Sequence, residues 1–394
     1  MIFGLAFLNP DRVSNDEDIG SRVSPADQSF IYSSSSGPAV LPYLRIFAIL
    51  PLYISNSFLL SSTALSNTLL TPFLTMSFLY SQFFVTPPYP TTDFTNQTVI
   101  VTGANVGLGL EAARHFTRLN AAKVILAVRS VSKGEAAKQS IESTTKRTGI
   151  VEVWPLDLAS YASVKAFAAS AAALTRLDVV VENAGVARLE WSTAEDNELT
   201  ITVNFISTML LAILLLPVLR KSAKEYNTVP RLSIVTSATH HRSNLPQWKT
   251  ENTFETLNDK TKQSMRTRYP ESKLLEIFAV RELVTRMSST EPLVVVNLVN
   301  PGLCHSELAR DAGWRLWFFK LVMARTTEVG SRTLVHGASS GKESHGQYMD
   351  DGQVHDDRVS AFVKSEEGQK AQKKIWKELG EKLDKIQPGI MQTI

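Results

Sequence analysis

From residue 93 onward, the chain alternates between short runs of β-branched residues and longer segments with helical character. Strands that alternate with helices form parallel βαβ units, which build a doubly wound sheet with helices on both faces. In such sheets, ligands bind beyond the carboxyl ends of the strands. The pattern therefore predicts an α/β fold with its site at that edge. The predicted strands are Gln97–Val101, Lys123–Val128, Ile150–Leu156, Leu177–Val181, Arg231–Thr236 and Leu293–Val299. The predicted helices are an Ala-rich helix that runs through about Leu119, Ser132–Arg147, Ser160–Leu174, Leu199–Arg220 and Tyr269–Met287.

The residues before this region differ in composition. Residues 1–38 are rich in Ser and Asp, and we predict that they are disordered. Residues 39–92 form an apolar extension in which Phe58–Tyr80 carries no charge over a length that could span a bilayer, although Ser, Thr and Asn interrupt it. A membrane-associated segment within residues 39–85 and a peripheral apolar arm both stay open. Met76 is a plausible natural start of the protein.

Two other segments bear on the fold. The apolar run Phe205–Leu219 contains Pro217 and is too short for a membrane span, so we predict a buried core or interface helix. Residues 351–394 are predicted to be a helical tail packed on or near the main domain. Within it, Ser365–Ile386 has apolar residues at near-helical spacing among many Lys and Glu, which is typical of an amphipathic surface helix.

Composition narrows the classes of function. The 394 residues carry a net charge of only +3, and no basic stripe is interleaved with aromatic residues, so nucleic-acid binding is not predicted. Cys304 is the only cysteine, which excludes an intramolecular disulfide and makes a cysteine metal cluster very unfavourable. His305 has no recognisable set of partner ligands, and no metal site is predicted.

A glycine-rich turn follows the first predicted strand. Gly103, Gly107 and Gly109 have the spacing G-x-x-x-G-x-G. Glycine lets the backbone approach a pyrophosphate, which rests at the positive end of the following helix. The turn favours a dinucleotide site, although a plain strand-to-helix connection would have the same glycines.

The end of the second strand indicates which dinucleotide is bound. An acidic residue there would bind the ribose 2′-hydroxyl of NAD. Here Val128 is followed by Arg129, and Lys133 lies close behind. Arg129 can bind a 2′-phosphate with two hydrogen bonds, so we predict NADP(H). The alternative is that Arg129 is a surface residue and the specificity is mixed.

The sequence Tyr269-Pro270-Glu271-Ser272-Lys273 places a phenol and an ammonium one helical turn apart. The ammonium is expected to stabilise the phenolate and lower the pKa of Tyr269 from about 10. Tyr269 could then exchange a proton with a substrate oxygen. Ser237, at the end of the fifth predicted strand, could hold that oxygen, and Asn204 could anchor a water for a proton relay.

Over residues 93–350 the chain resembles the short-chain dehydrogenase/reductase family, in particular its retinol-dehydrogenase-like branch and the fungal members of that branch. The resemblance rests on these segments: Thr102–Gly109, Asp157-Leu158, Asn183-Ala184-Gly185, Asn204, Ser237, Tyr269–Lys273 and Asn300-Pro301-Gly302. It implies a Rossmann fold and a catalytic Asn-Ser-Tyr-Lys tetrad at Asn204, Ser237, Tyr269 and Lys273. It also implies a preference for NADP(H) and a place in secondary-metabolite biosynthesis.

Motifs and resemblance together predict an NADP(H)-dependent, cytoplasmic enzyme that interconverts a carbonyl and an alcohol on a small lipophilic substrate. A non-catalytic NADP(H)-binding regulator or scaffold, a membrane-tethered enzyme and a sugar epimerase are the alternatives, and a homo-oligomer stays open. The predicted cofactor-binding residues are Gly103, Asn105, Gly107, Leu108, Gly109, Arg129, Lys133, Asp157, Asn183, Tyr269, Lys273 and Pro301.

Two features remain outside these motifs. Glu182 stands where the family often has the first Asn of Asn-Asn-Ala-Gly, and we expect it mainly to support the sheet and the adenine side. The segment around Leu303, Cys304, His305 and Trp314–Phe319 is aromatic, which suggests either an apolar substrate or simple packing of a lid. Cys304 is interpreted as a packing residue and not a nucleophile.

Overall fold

The computed structural model describes residues 78–262, 264–287, 293–305 and 323–394. The predictions for residues 1–38, for most of the apolar extension and for Trp314–Phe319 lie outside these ranges. Within them, residues 78–84 are helical and lead into an extended segment that reaches the first strand.

The central sheet has eight strands in the order β10-β9-β8-β7-β4-β1-β2-β3, and all neighbouring pairs are parallel except β9 with β10. The predicted doubly wound α/β fold is therefore confirmed. A separate hairpin pairs β5 with β6. The strands are β1 Thr98–Thr102, β2 Lys123–Val128, β3 Val151–Pro155, β4 Val179–Glu182, β5 Thr193–Ala194, β6 Asn197–Glu198, β7 Arg231–Val235, β8 Val295–Asn300, β9 Tyr348–Asp350 and β10 Gln353–Val354.

Helices cover both faces of the sheet. One core contains buried side chains of α3, α4, α6 and α9, and the other contains those of α1, α2 and α7. The helices are α1 Gly107–Arg118, α2 Val131–Thr145, α3 Tyr161–Ala172, α4 Leu199–Tyr226, α5 Thr253–Asn258, α6 Met265–Arg286, α7 Thr327–Ser339, α8 Ala361–Lys364 and α9 Glu366–Ile386.

Helix α4 is the one helix of the described residues that is long and apolar enough to cross a membrane, yet 89% of its most apolar window is buried. The prediction of a core helix over Phe205–Leu219 is therefore confirmed. Pro217 lies inside the helix without ending it. Near its start, Thr202–Ser207 forms a π-helical segment, a local widening of the helix that often occurs at functional sites.

The C-terminal helix α9 is part of the main core and not a separate layer. Ala371, Ile375, Leu379 and Leu383 recur at helical spacing and are all completely buried. Ser365 caps the helix by accepting a hydrogen bond from the main-chain N–H of Gly368 at 3.0 Å. The amphipathic pattern of this tail thus reflects docking against the same face of the sheet as α4 and α6.

Candidate active site

The turn between β1 and α1 brings its backbone against the loop after β4. Gly103 and Gly107 both have φ of +65°, in the left-handed region that favours glycine. A Cβ atom on Gly109 would lie 2.6 Å from Asn183 Nδ2 and 2.7 Å from the Gly103 carbonyl, so a larger residue does not fit there. A Cβ atom on Gly107 would meet nothing within 4 Å, which shows that the turn is open on that side.

Thr102 and Asn183 hold this turn in place. The Thr102 hydroxyl oxygen accepts hydrogen bonds from the main-chain N–H groups of Asn183 at 3.0 Å and Ala184 at 2.9 Å. Asn183 Nδ2 donates to the Thr102 carbonyl at 2.9 Å. The side chain of Asn183, a predicted cofactor-binding residue, therefore stabilises the turn. Thr102 was not identified as a separate site residue from the sequence.

The start of α1 can receive an anion. Its N-cap residue, Val106, supplies no side-chain hydrogen bond, so the first N–H groups of the helix have no such cap. Asn105 and Leu108 flank this end and are half-buried. Free N–H groups at the positive end of a helix, beside a turn that is open at Gly107, fit the pyrophosphate of a dinucleotide.

Two cations stand at the carboxyl end of β2. Arg129 and Lys133 are exposed, and within the described part of the chain neither makes a side-chain hydrogen bond or ion pair. Ser130, the N-cap of α2, also leaves its helix end without a side-chain cap. This arrangement fits a phosphate group. Asp157, after β3, is half-buried and accepts a hydrogen bond from the Ala159 N–H at 3.0 Å.

Tyr269 and Lys273 lie on one face of α6, beneath the end of β7. The Lys273 Nζ atom is 5.6 Å from the centroid of the Tyr269 ring. Ser237 follows β7, and its hydroxyl is close enough to the phenol to lower the pKa of Tyr269 by hydrogen bonding. The structure thus brings Ser237 next to Tyr269 and Lys273, which lie on a different element of the fold.

The ammonium of Lys273 is buried and held from two sides. Nζ donates to the Val235 carbonyl at 2.9 Å and to Glu276 Oε1 at 2.6 Å. Burial disfavours the charged form, but Glu276 and Tyr269 favour it, and the pKa of Lys273 lies above its ordinary value. Lys273 therefore stays charged at neutral pH. An ammonium has three donors, and these two contacts leave one for a ligand.

The pKa of Tyr269 departs from the expectation. Burial raises the pKa of the phenol, and the nearby carboxylate of Glu276 raises it further. Lys273 lowers the pKa, as the sequence predicted, and so does Ser237, but the net direction is upward. The prediction of a lowered pKa is therefore wrong for the protein alone, because desolvation outweighs the ammonium.

Asn204 is fully buried in the π-helical segment of α4. Its Oδ1 accepts from the Val186 N–H at 2.8 Å, and its Nδ2 donates to the Val186 carbonyl at 2.9 Å and to Ser272 Oγ at 3.0 Å. The amide thus joins the loop after β4 to α6. Both Nδ2 donors are therefore engaged while Oδ1 keeps one lone pair, and the role of Asn204 in holding a water stays a prediction.

His240 holds the main chain of Ser237 in place. Its Nδ1 lies 2.8 Å from the Ser237 carbonyl, and its Nε2 accepts from the Ser360 N–H at 3.1 Å. Burial lowers the pKa of His240 to about 3, so the ring is neutral and Nδ1–H is the donor to Ser237. No pattern in the sequence indicates this contact.

The loop after β8 is the segment expected to face the substrate. Pro301 is buried, and its carbonyl accepts from Arg325 Nη1 at 3.3 Å. Cys304 is buried as well, and its thiol donates to the same carbonyl at 3.4 Å, as expected of a packing residue. His305 is exposed. Sequence reasoning missed Arg325, which is far from every motif.

Known proteins are similar in sequence to this chain over most of its length. The sequence model of the short chain dehydrogenase family matches residues 97–226. The short chain dehydrogenase/reductase dmxR8 of Cryptosporiopsis sp. is 48% identical over 322 residues, which are 80% of this chain and 99% of that protein. The short-chain dehydrogenase anuD of Penicillium roqueforti is 46% identical over 323 residues, which are 80% of this chain and 84% of that protein.

Solved structures share the fold. An uncharacterized protein from Mycobacterium paratuberculosis superposes with a TM-score of 0.55 at 28% identity, over 75% of this chain and 96% of its own. An NADPH-bound carbonyl reductase from chicken fatty liver superposes with a TM-score of 0.51 at 22% identity, over 66% of this chain and 99% of its own.

Proposed function

The chain belongs to the short-chain dehydrogenase/reductase family of oxidoreductases, and from that premise we propose that it uses NADP(H) to interconvert a carbonyl and an alcohol on a small lipophilic molecule. The observation that carries the proposal is the convergence of Tyr269, Lys273 and Ser237 at the carboxyl end of β7. A protein that only binds the cofactor has no need of a phenol beside a buried ammonium.

Tyr269, Ser237 and Lys273 each have a separate role in the proposed reaction. The cofactor, when bound, supplies or accepts the hydride at the reacting carbon. The Tyr269 hydroxyl donates its proton to the carbonyl oxygen in reduction, and the Tyr269 phenolate removes the proton from the alcohol in oxidation. The Ser237 hydroxyl holds the same oxygen. Lys273 favours the ionised phenol and keeps one N–H for the cofactor ribose.

Preference for NADP(H) is proposed from Arg129 and Lys133. Both cations are exposed at the carboxyl end of β2, where they can reach a ribose phosphate without first breaking another side-chain contact in the described part of the chain. Val128 precedes them, and no acidic residue occupies that position to repel the phosphate. The glycine turn and the start of α1 would hold the pyrophosphate.

The proposal also includes a lipophilic substrate and a place in fungal secondary metabolism. They rest on the aromatic sequence Trp314–Phe319 and on the identity with enzymes from Cryptosporiopsis and Penicillium. We place the enzyme in the cytoplasm. Membrane association through residues 39–85 and assembly into a homo-oligomer are further proposals.

The test combines turnover with cofactor binding. The purified full chain should oxidise NADPH in the presence of apolar aldehydes or ketones. Tyr269→Phe should abolish turnover while NADPH binding, followed by fluorescence titration, stays nearly unchanged, because the phenol acts on the substrate. Tyr226→Phe, at the exposed end of α4, is the matched control.

Two outcomes would count against the proposal. Wild-type turnover by the Tyr269→Phe variant would remove the acid/base role of the phenol. Tight NADPH binding by the wild type, without turnover across a broad panel of carbonyl compounds, would instead indicate a non-catalytic regulator on the same fold.

A further inference from the structure

Two carboxyl groups are buried behind the ammonium of Lys273. Glu276 lies three residues further along α6 and is 1% exposed, and Glu182, the last residue of β4, is 4% exposed. Glu276 Oε1 accepts from Lys273 Nζ at 2.6 Å. Glu276 Oε2 and both carboxyl oxygens of Glu182 have no hydrogen-bond partner within the described part of the protein.

The fold explains why these groups meet. Glu182 pairs in register with Ile234 of β7, the residue before the Val235 carbonyl that also binds Lys273. Ile234 belongs to the core that packs against α6, so Glu182 lies on that face of the sheet, and the charge of Glu276 acts on its carboxyl group.

Burial fixes how many charges the cluster can carry. Lys273 with ionised Glu276 is a neutral pair, and a second buried carboxylate would leave an uncompensated negative charge. Burial raises the pKa of Glu182 well above its ordinary value, and the negative charge of Glu276 raises it further. Burial also raises the pKa of Glu276, to about 7. The charge count and the raised pKa both favour the protonated form of Glu182.

The same charge count applies to Tyr269. When Glu276 is ionised, loss of the phenol proton would give the buried group a net negative charge. When Glu276 is neutral, the phenolate would form a neutral pair with the Lys273 ammonium. Glu276 therefore opposes the ionisation of Tyr269 while it holds Lys273 in place.

We propose that Glu276 is a positioning residue that fixes the Lys273 ammonium and limits the ionisation of Tyr269, and that Glu182 is its protonated, neutral companion. The pair gives this chain a way to keep the phenol in its acid form, which suits carbonyl reduction. This inference rests on the proposed function for the role of Tyr269 as an acid.

Other charged groups nearby are engaged elsewhere. Arg268 on α6 pairs with Glu271 at 3.2 Å and with Glu198 at 3.4 Å, on the α4 side. His240, on the turn after β7, is neutral, and the charges that act on it are His241 and Arg281. Within the described residues, the ionisable groups that act on the cluster are its own members: Glu182, Tyr269, Lys273 and Glu276.

The test is a spectroscopic titration of the phenol, which needs no substrate. The ultraviolet absorption of phenolate is followed against pH in the full chain, and the curve of the Tyr269→Phe form of each variant is subtracted. Glu276→Gln should move the Tyr269 transition about one pH unit or more toward acid. Glu182→Gln should leave the transition in place, because Gln reproduces a neutral carboxyl group.

Glu271→Gln is the matched control. It makes the same change at a buried carboxylate on the same helix, but at one that faces Arg268. It should leave the Tyr269 transition where it is in the wild type. Glu276→Asp keeps the charge and should also leave the transition near its wild-type position, although the shorter side chain reaches Lys273 less well and should lower kcat.

Protein stability gives a second measurement that does not depend on the Glu276 variants folding. A carboxyl whose folded pKa is raised adds stability at low pH and loses it as the pH rises above the unfolded value of about 4.5. The free energy of unfolding of Glu182→Gln relative to wild type should therefore increase steadily between pH 5 and pH 8.

The inference fails if Glu276→Gln titrates like the wild type or at higher pH. It also fails if Glu182→Gln shifts the phenol as much as Glu276→Gln, or if its relative stability does not change with pH, since Glu182 would then be ionised. An enzyme without turnover would contradict the proposed function but would leave the titration result intact.

Discussion

The side-chain amide of Gln82 forms two hydrogen bonds with the main chain of Leu303, each 3.0 Å long, although 221 positions separate the two residues. Its Nε2 also donates to the Met323 carbonyl at 3.0 Å. Leu303 and Met323 stand on either side of residues 306–322, the segment that follows the strand end expected to face the substrate. One side chain from the start of the described chain therefore joins Leu303 to Met323.

We expect Gln82→Ala to lower the free energy of unfolding by about 1–3 kcal/mol, because partly buried main-chain groups lose their partners. The KM for the carbonyl substrate should rise while the Kd for the cofactor changes little, since the glycine turn is not touched. Chemical denaturation and steady-state kinetics measure the two effects. Gln353→Ala, at an exposed position on β10, is the control, and equal effects in both variants would contradict the role of Gln82.

The same contacts make residues 78–92 part of the α/β domain. Arg325 Nη2 donates to the carbonyls of Ser81 at 2.9 Å and Val85 at 3.0 Å and forms an ion pair with Asp351 at 2.6 Å. Arg332 donates to the Pro87 carbonyl at 3.0 Å. The sequence prediction assigned residues 39–92 to an apolar extension and began the Rossmann domain at residue 93, and these contacts link the end of that extension to the domain.

We therefore expect a chain that begins at Met76 to be as stable as the full chain in its α/β domain. A chain that begins at Asp93 should lose at least about 3 kcal/mol, since several hydrogen bonds of about 1 kcal/mol each disappear and Arg325 stays buried with fewer partners. Thermal and urea unfolding of the two shortened proteins decide the point. Equal stability of the two shortened proteins would support a domain boundary at residue 93.

Strands β1, β2, β4 and β8 were predictable because each is a local run of β-branched residues that is almost wholly buried. Lys123–Val128 has the predicted bounds, whereas β4 and β8 begin and end later than predicted, since pairing with neighbouring strands decides where a strand ends. Strand β9, Tyr348–Asp350, has too few residues for any periodicity to be read.

The candidate site was predictable only where spacing carries the signal. Tyr269 and Lys273 are one helical turn apart, and Gly103, Gly107 and Gly109 fall within one short turn, so their spacing in the sequence alone indicates them. Glu276 resembles any acidic residue on a helix until the sheet buries it. Gln82 depends on a contact between distant parts of the chain, for which a single sequence holds no signal.

Arg129 provides a test of cofactor choice. Because its side chain is exposed, Arg129→Gln should leave stability unchanged. Loss of a charge-assisted hydrogen bond worth about 1.5–3 kcal/mol should raise the KM for NADPH by roughly 10–100-fold. The KM for NADH, which has no 2′-phosphate, should hardly change and serves as the internal control. Lys133→Gln should act in the same direction, and equal effects on both cofactors would contradict the assignment.

A buried histidine predicts acid sensitivity. Arg118 Nε donates to His115 Nδ1 at 2.9 Å, so Nε2 carries the proton and donates to Glu328 Oε1 at 3.1 Å. This arrangement holds the ring neutral, and burial, followed by the charge of Arg118, lowers the pKa of His115 to about 4. The unfolded chain takes up a proton near pH 6.5, so the folded state loses stability as the pH falls from about 6.5 toward 4.

His115→Gln should remove this dependence. Between pH 6.5 and 4 the wild type should lose up to about 1.4 kcal/mol per pH unit more than the variant, which corresponds to one proton. At pH 7 the variant should be the less stable of the two, because it loses the contacts to Arg118 and Glu328. Urea unfolding at several pH values measures both quantities. His305→Gln, at an exposed position, should follow the wild-type curve, and a His115→Gln curve parallel to the wild type would show that the ring is already protonated in the folded protein.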